Sequence, residues 1–315
     1  MKVVVLGTGG TIAGTADAQA RAGYRAGQVR VEDLAGALAV PAGVELVAEQ
    51  VAQVDSKDMD GAWWSLLAAR AAHWLAREDV RAVLITHGTD TLEETAFLLH
   101  AVLDPAKPVV LTCAMRPASA PEPDGPQNLR DALAVALHPG ACGVVAVCAG
   151  KVHGAGDVRK QHPYRLDAFG SGDAGCIAYV EAGRLRLLRA WPRAGDNHVA
   201  GALERLPEAA AAWPWVAVVA SHAGADGRMV DALRQAGVQG MVVAGTGNAT
   251  VHHALEGALR AAEAAGIPVV RATRCLEGEP VAGAGQGVEP AARLGAAKAR
   301  VALQLRLLMA GASAA

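Results

Sequence analysis

The chain has 315 residues, enough for two domains of ordinary size, each with its own hydrophobic core. Hydrophobic residues make up 52% of it and aromatic residues only 3%, so the core is built from small aliphatic side chains, which suits α/β layers. With 29 Lys and Arg against 31 Asp and Glu, the net charge of -2 gives no electrostatic basis for binding nucleic acid or an anionic membrane, and we expect neither partner.

The five cysteines are scattered along the chain without C-x-x-C spacing, and most of them stand in apolar runs. We interpret them as small core side chains in a reducing compartment, because an odd number does not suit a disulfide framework. The predicted first strand begins at Lys2, and no apolar run approaches the roughly 18 residues that a membrane-spanning helix needs. The sequence therefore predicts a cytoplasmic protein.

Short β-branched runs alternate along the chain with alanine- and leucine-rich stretches of helical character. The predicted strands are, in chain order, Lys2–Leu6, Ala82–Thr86, Pro108–Cys113, Gly143–Ala149, Val216–Ser221, Gly240–Ala244 and Pro268–Ala272. The predicted helices include Asp60–Arg77, with Trp63, Leu66, Leu67 and Trp74 on one side, and Ala297–Met309. Strands that are apolar almost throughout are typical of parallel sheets buried on both faces. The sequence thus predicts an α/β fold with a mainly parallel β-sheet flanked by helices.

One segment interrupts this alternation. The stretch from Ala190 to Pro214 carries three prolines and a charged, alanine-rich middle. We predict an N-terminal α/β domain over 1–189, a linker over 190–213 and a smaller α/β C-terminal domain over 214–315.

The glycine-rich stretch LGTGGTIAG, from Leu6 to Gly14, follows the first predicted strand. It is not a dinucleotide fingerprint, because Ile12 occupies the place of the third glycine of G-x-G-x-x-G. It is not a phosphate-binding loop either, since no lysine follows the glycines. What remains is a pair of hydroxyls, those of Thr8 and Thr11, on flexible backbone.

The stretch ITHGTDTLEETA, from Ile85 to Ala96, lies at the carboxyl end of a predicted strand and opens a helix. Ligands of open parallel sheets bind at this edge, where helix N-termini present free N–H groups. Helix capping is the alternative: Thr91 with Glu94 forms a capping box, and Asp90 with Glu93 would serve equally well. Taken alone, the stretch favours capping. We interpret His87 as a structural hydrogen-bonding residue rather than a base.

Together these two stretches resemble the paired signatures of the bacterial-type L-asparaginase family, the asparaginase and glutaminase-asparaginase amidohydrolases. Further matches in register are Asp55-Ser56 with Asp58-Met59, Ala114 to Pro117, Asp124 to Pro126 with Asn128-Leu129, Asp157-Val158 with Lys160, Ala244-Gly245 with Gly247-Asn248, and Lys298 to Val301. The resemblance covers essentially the whole chain. It implies hydrolysis of L-asparagine to L-aspartate and ammonia without metal or organic cofactor, by a homotetramer made of two intimate dimers.

The residues support amide hydrolysis independently of the resemblance. Hydrolysing an unactivated amide needs a nucleophile, a proton acceptor and an oxyanion hole. The sequence contains neither G-x-S-x-G nor H-E-x-x-H, so threonine hydroxyls remain, with Lys160 and Tyr24 as candidate proton acceptors. Taken singly, Tyr24 is more typical of a packed loop aromatic and Lys160 of a solvated side chain, and only the matches in register with the family favour a catalytic role for both. Backbone N–H groups at Thr11 and Thr89 would form the oxyanion hole, because both residues follow glycine.

The resemblance also implies roles for individual residues. Thr11 corresponds to the primary nucleophile, beside Gly10, and Tyr24 to its activating partner on a lid rich in small residues. The family's second group matches Thr89, Asp90 and Lys160, beside Gly88. The implied substrate contacts are Ser56, as donor to the α-carboxylate, and Asp90, as anchor of the α-ammonium. Which threonine attacks first stays open.

Two departures from the family pattern concern substrate binding. The family lends an asparagine and a glutamate from a neighbouring subunit, and Asn248 matches the asparagine, whereas Glu279 and Glu289 are both possible matches for the glutamate. Lys57 stands where many relatives carry glutamine. Because lysine only donates hydrogen bonds, we expect it to turn toward the substrate's α-carboxylate or an acidic neighbour such as Asp58.

Other functions remain as alternatives. The first two are a glutaminase-asparaginase of broader specificity and an amidotransferase subunit that supplies ammonia, although such a subunit would be expected to carry an N-terminal extension. A catalytically silent amino-acid sensor is disfavoured by the intact candidate catalytic residues. A dinucleotide enzyme is the weakest alternative because of Ile12.

Overall fold

The computed structural model describes residues 1–17, 23–193, 198–281 and 294–311. The chain forms two compact units, Met1–Leu203 and Glu204–Ala315. Their boundary lies inside the segment 190–213 that the sequence analysis treats as a linker. Within the described ranges no helix has both the length and the apolar character needed to cross a membrane.

The first unit is built on an eight-stranded sheet with helices on its faces. Its elements are β1 (Lys2–Gly9), β2 (Thr15–Ala16), β3 (Tyr24–Arg25), α1 (Val31–Gly36), β4 (Glu45–Val54), α2 (Gly61–Leu75), β5 (Val80–Thr86), α3 (Leu92–Leu103), β6 (Val109–Thr112), α4 (Gly125–Leu137), β7 (Val144–Cys148), β8 (Lys151–Gly154), β9 (Arg159–Lys160), β10 (Phe169–Gly170), β11 (Ala178–Glu181) and β12 (Arg184–Leu187). The sheet order is β12-β11-β8-β7-β6-β5-β1-β4.

The sheet is parallel from β4 to β7 and antiparallel at the other edge, from β8 to β12. Strand β1 lies next to the edge strand β4 and is buried from Val3 to Gly9, because β4 and β5 flank it and helices cover both faces. Helices α1 and α4 contribute to the main cluster of buried apolar residues, and α2 and α3 contact β5 and β7. The predicted fold class, a mainly parallel sheet flanked by helices, is confirmed.

The second unit is a smaller three-layer α/β unit. Its elements are β13 (Val216–Ala220), α5 (Arg228–Gln235), β14 (Gly240–Gly245), α6 (His253–Ala264), β15 (Val269–Thr273) and α7 (Gly295–Ala310). The three strands form a parallel sheet in the order β13-β14-β15. Helices α5 and α6 share an apolar cluster with the sheet, and α7 also contacts all three strands.

The prediction of one apolar side of helix α2 is right for Leu67, which is buried, and wrong for its other residues. Leu66 is 41% exposed, while Trp63 and Trp74 are only half-buried. The buried residues are Trp64, Ser65, Leu67, Ala68 and Ala71. Trp64 takes the interior position because its Nε1–H donates to Thr95 Oγ1 of α3 at 2.9 Å. Because Trp63 and Trp64 are adjacent, the spacing of apolar residues did not distinguish them, and it selected Trp63 although Trp64 is the buried one.

The cysteines also differ in part from the expected core placement. Cys113 and Cys148 are buried at the ends of β6 and β7, in agreement with their apolar surroundings. Cys142 and Cys176 are half-buried, and Cys275 is exposed just after β15. The interpretation as core side chains therefore holds for Cys113 and Cys148 and is wrong for Cys275.

Candidate active site

Three loops converge at the carboxyl edge of the first sheet, because β4, β1 and β5 are adjacent parallel strands. A Cβ built on Gly10 would lie 2.3 Å from Gly88 Cα, and one built on Gly88 would lie 2.4 Å from Ser56 Oγ. Neither position has room for a side chain. The loops that follow β1, β4 and β5 are thus packed against one another in a way that requires glycine at both positions.

The loop after β1 places Thr11 beside Tyr24. A short 3-10 turn over Thr11–Ala13 buries Thr11, and its Oγ1 lies 2.8 Å from Tyr24 Oη. Tyr24 belongs to the hairpin of β2 and β3, where it is paired with Ala16. Five residues of the predicted lid, 18–22, lie outside the described residues. The other hydroxyl of the glycine-rich loop, that of Thr8, donates to the Thr86 carbonyl at 2.9 Å and links β1 to β5.

The loop after β5 forms a second group with Lys160. Lys160 Nζ lies 2.8 Å from Thr89 Oγ1 and 2.5 Å from Asp90 Oδ1. The side chain of Lys160 is only 18% exposed, whereas that of Asp90 is 51% exposed. The lysine is therefore held between a buried hydroxyl and a carboxylate that remains open to solvent.

Two backbone N–H groups of these loops are free in the described part of the chain. Thr11 N–H and Thr89 N–H have no hydrogen-bond acceptor among the described residues. Each follows one of the two glycines in contact, Gly10 and Gly88. Unpaired N–H groups on adjoining loops can donate to one anionic oxygen, as an oxyanion hole requires.

Ser56 joins the loop after β4 to the start of helix α3. It is 2% exposed, and its Oγ accepts the Asp90 N–H at 3.1 Å. Because a hydroxyl that accepts one hydrogen bond still has a proton to donate, this contact leaves Ser56 able to donate to a substrate carboxylate.

The capping box considered as an alternative for Thr91 and Glu94 is not formed. Thr91 is the N-cap of α3, but its side chain makes no capping hydrogen bond. Its hydroxyl donates instead to the Ser56 carbonyl at 2.7 Å. The alternative pair also fails, since Asp90 binds Lys160 and Glu93 Oε2 accepts the Lys160 backbone N–H at 2.9 Å.

The side chain of Lys57 contacts acidic residues that are close to it in sequence. Its ammonium forms an ion pair with Asp58 and lies 3.5 Å from Asp55 Oδ2. The hydrogen bond from Lys57 to Asp58 raises the pKa of the lysine. The expected contact with Asp58 is thus present, and the side chain remains 59% exposed.

His87 is fully buried between β5 and the Thr89 loop. Burial lowers the pKa of His87 to about 4, so the ring is neutral at physiological pH. Its Nδ1 lies 2.7 Å from the Gly88 carbonyl oxygen, and because that oxygen only accepts, Nδ1 carries the proton. This geometry agrees with a structural role in holding the Gly88 loop.

The residues expected from a neighbouring subunit belong to the second unit. Asn248 is exposed, and its amide makes two hydrogen bonds with Val281: Nδ2 donates to the carbonyl at 2.8 Å and Oδ1 accepts the N–H at 2.6 Å. Glu279 is exposed in the same segment, and Glu289 lies outside the described residues. In the described chain, Asn248 therefore supports the backbone that follows Glu279.

Two contacts in the first unit escaped the sequence analysis. Ser119 Oγ accepts the Ala16 N–H at 2.6 Å and so anchors the Tyr24 hairpin. Glu93 was considered only as a capping partner, and no local pattern reports its bond to Lys160, 67 positions away. Over the described ranges, no group of three or more His, Cys, Asp or Glu residues is arranged to hold a metal ion.

Comparison with known proteins agrees with this geometry. A family model described as "Asparaginase, N-terminal" matches residues 2–193, and one described as "Glutaminase/Asparaginase C-terminal domain" matches residues 215–313. The chain is 34% identical to "L-asparaginase 2" of Escherichia coli (strain K12), over 97% of this chain and 88% of that protein.

Two further proteins show how widely the similarity extends. The chain is 34% identical to one component of the glutamyl-tRNA(Gln) amidotransferase of Methanopyrus kandleri, over 88% of this chain but only 62% of that protein. The solved structure "Probable Cytoplasmic L-asparaginase from Campylobacter jejuni" superposes with a TM-score of 0.87 at 34% identity, covering 97% of this chain and 94% of the other.

Proposed function

Because this chain belongs to the asparaginase family, we propose that it hydrolyses the side-chain amide of L-asparagine to L-aspartate and ammonia, using threonine hydroxyls as nucleophiles. The observation that carries the proposal is the pairing of each buried threonine with a proton acceptor. Thr11 Oγ1 lies 2.8 Å from Tyr24 Oη, and Thr89 Oγ1 lies 2.8 Å from Lys160 Nζ. The two threonines lie on loops that touch at Gly10 and Gly88.

Two such pairs suit the two halves of amide hydrolysis. In an acyl-enzyme route, the proton removed from the attacking hydroxyl passes to the leaving ammonia, and the proton later removed from water returns to the hydroxyl as the ester is cleaved. Each removal needs a basic group at hydrogen-bond distance. Tyr24 and Lys160 would be those groups. The free N–H groups of Thr11 and Thr89 would stabilise the oxyanion that forms in each half.

Ser56 and Asp90 would orient the amino-acid end of the substrate. Ser56 can donate to the α-carboxylate while accepting the Asp90 N–H at 3.1 Å. Asp90 Oδ1 is bonded to Lys160, and among the described residues its Oδ2 has no partner. That oxygen, on a half-exposed side chain, would hold the α-ammonium.

The experiment that tests this function is ammonia release measured with L-asparagine, L-glutamine and the D-isomers of both. We expect L-asparagine to be the best substrate, and a chelator to leave its turnover unchanged. Equal activity on L-glutamine would favour the broader glutaminase-asparaginase. Ammonia production that requires an acceptor protein would favour the amidotransferase subunit, and no release from any of the four would contradict the proposal.

Lys57 should make the preference for asparagine strong. Glutamine is one methylene longer and needs every orienting contact to bring its amide to Thr11, yet Lys57 has no acceptor for the α-ammonium and is paired with Asp58. We expect Lys57→Gln to raise kcat/KM on glutamine relative to kcat/KM on asparagine. The measurement is the ratio of these two values in wild type and in the variant, at one pH. A wild-type ratio near unity, or a ratio that the substitution leaves unchanged, would show that Lys57 does not affect substrate choice.

We further propose a homotetramer of two intimate dimers, in which Asn248 and Glu279 of one subunit complete the site of another. The support is the family resemblance and the exposure of both side chains in the second unit. Light scattering at the assay concentration should give the mass of four chains, each of 32.1 kDa. A fully active monomer would contradict the shared site.

We also propose a cytoplasmic location. The similar solved structure is named as a probable cytoplasmic asparaginase, and the described helices include none that could cross a membrane. Fractionation of the source cells tests the location, and detection of the protein in the periplasmic fraction would contradict it.

A further inference from the structure

Lys160 lies on a strand that, among the described strands, pairs with one neighbour. Strand β9 has two residues and pairs with β10, and beyond it the Gln161 N–H donates to the Ala168 carbonyl at 2.7 Å. The Lys160 N–H does not take part in this pairing. It donates to Glu93 Oε2 at 2.9 Å, so a carboxylate on another element satisfies the open side of the strand.

Glu93 belongs to the same short segment as the groups that Lys160 binds through its side chain. It stands in the first turn of α3, directly after the loop that carries Thr89 and Asp90. Lys160 is therefore bound to this segment at both ends, through its backbone N–H and through Nζ. Because a lysine side chain has many rotamers, fixing its backbone restricts the positions that Nζ can reach.

We propose that Glu93 is a positioning residue, which places Lys160 Nζ against Thr89 Oγ1 by holding the Lys160 backbone. This inference rests on the proposed function, since it gives Lys160 the proton-accepting role. The bond is charge-assisted, a class roughly twice as strong as hydrogen bonds between neutral groups. Small displacements at a reacting pair have large kinetic effects, on the order of 100-fold for about 1 Å.

A purely structural role is the competing explanation. An acidic residue in the first turn of a helix stabilises that helix through its charge, whether or not it holds a backbone N–H elsewhere. The two roles differ in what they require of residue 93. Helix stabilisation requires the charge, whereas positioning of Lys160 requires a hydrogen-bond acceptor at the end of a side chain of the same length.

Two variants separate these requirements. Glu93→Gln keeps the length and one acceptor oxygen but loses the charge, and Glu93→Met keeps the length but loses both. We expect kcat of Glu93→Gln to stay within about threefold of wild type and that of Glu93→Met to fall at least about tenfold, with KM changed less than about twofold. Thermal midpoints measured in parallel report the structural contribution.

Hydrogen exchange supplies a readout that does not depend on turnover. In a peptide that contains Lys160, we expect one amide to exchange at least about tenfold faster in Glu93→Met than in wild type or Glu93→Gln. Should Glu93→Met fail to fold, Glu93→Ala is measured in the same way. An inactive wild-type protein would contradict the proposed function, whereas the exchange difference would still report whether Glu93 holds the Lys160 backbone.

Three outcomes overturn the inference. The first is a folded Glu93→Met variant that keeps wild-type kcat, and the second is a Glu93→Gln variant that loses as much kcat as Glu93→Met. The third is an amide of Lys160 that exchanges equally fast in all variants.

Discussion

Replacing Thr89 or Thr11 by alanine is expected to lower kcat for L-asparagine at least about 100-fold, as removal of a nucleophile or its equivalent does. Each substitution removes the hydroxyl of a proton-transfer pair, leaving Lys160 or Tyr24 without the oxygen that now lies 2.8 Å away. Both threonines are buried, but each substitution removes only the hydroxyl and one methyl group, so circular dichroism should be unchanged. The measurement is steady-state kinetics on the purified variants.

Serine at the same positions provides the matched control. Thr89→Ser and Thr11→Ser keep the oxygen and lose one methyl group, so they should retain far more turnover than the alanine variants. Thr91→Ala is a second control, because its hydroxyl donates to the Ser56 carbonyl rather than to a proton acceptor. Near-normal turnover in Thr89→Ala would contradict a mechanism that uses both threonines.

The interior parallel strands of the first unit could be predicted from sequence because each is buried on both faces. Strands β1, β5, β6 and β7 are apolar runs, since helices cover the sheet above and below them. Strand β4 was missed because it is an edge strand in which charged and amide residues alternate with apolar ones. Strand β12, with the sequence RLRL, was missed for the same reason at the opposite edge.

The residues of the candidate site could be predicted where they belong to sequence motifs. Their roles could not be predicted where these depend on contacts with residues distant in sequence. Thr89 and Lys160 are 71 positions apart, so their pairing followed from the family resemblance rather than from spacing. The capping role of Thr91 failed because the Ser56 carbonyl, 35 positions away, takes its hydroxyl. Glu93 could not be identified at all, because its partner is a backbone N–H, which every residue except proline has.

Replacing Gly10 by alanine is expected to be the most disruptive single substitution in the loops of the site. Gly10 has φ +80°, and an added Cβ would lie 2.3 Å from Gly88 Cα and 2.4 Å from Gly88 N. Both atoms belong to backbone, so neither can rotate away as a side chain could. We expect the free energy of unfolding to fall by about 3 kcal/mol or more, and kcat to fall as the Thr89 loop is displaced.

Gly43 provides a control that has a positive φ but no nearby backbone. It has φ +82°, nearly the angle of Gly10, but an added Cβ there would meet nothing within 4 Å. Gly43→Ala therefore carries only the strain of a positive φ, about 1–2 kcal/mol, and should leave kcat unchanged. The additional loss of stability in Gly10→Ala, measured by urea-induced unfolding, reports the collision of the two loops together with the strain of an alanine at φ +80°, ψ -173°. If Gly10→Ala proved no less stable than Gly43→Ala, the loops after β1 and β5 would not be in contact, and the two threonine pairs would not share one site.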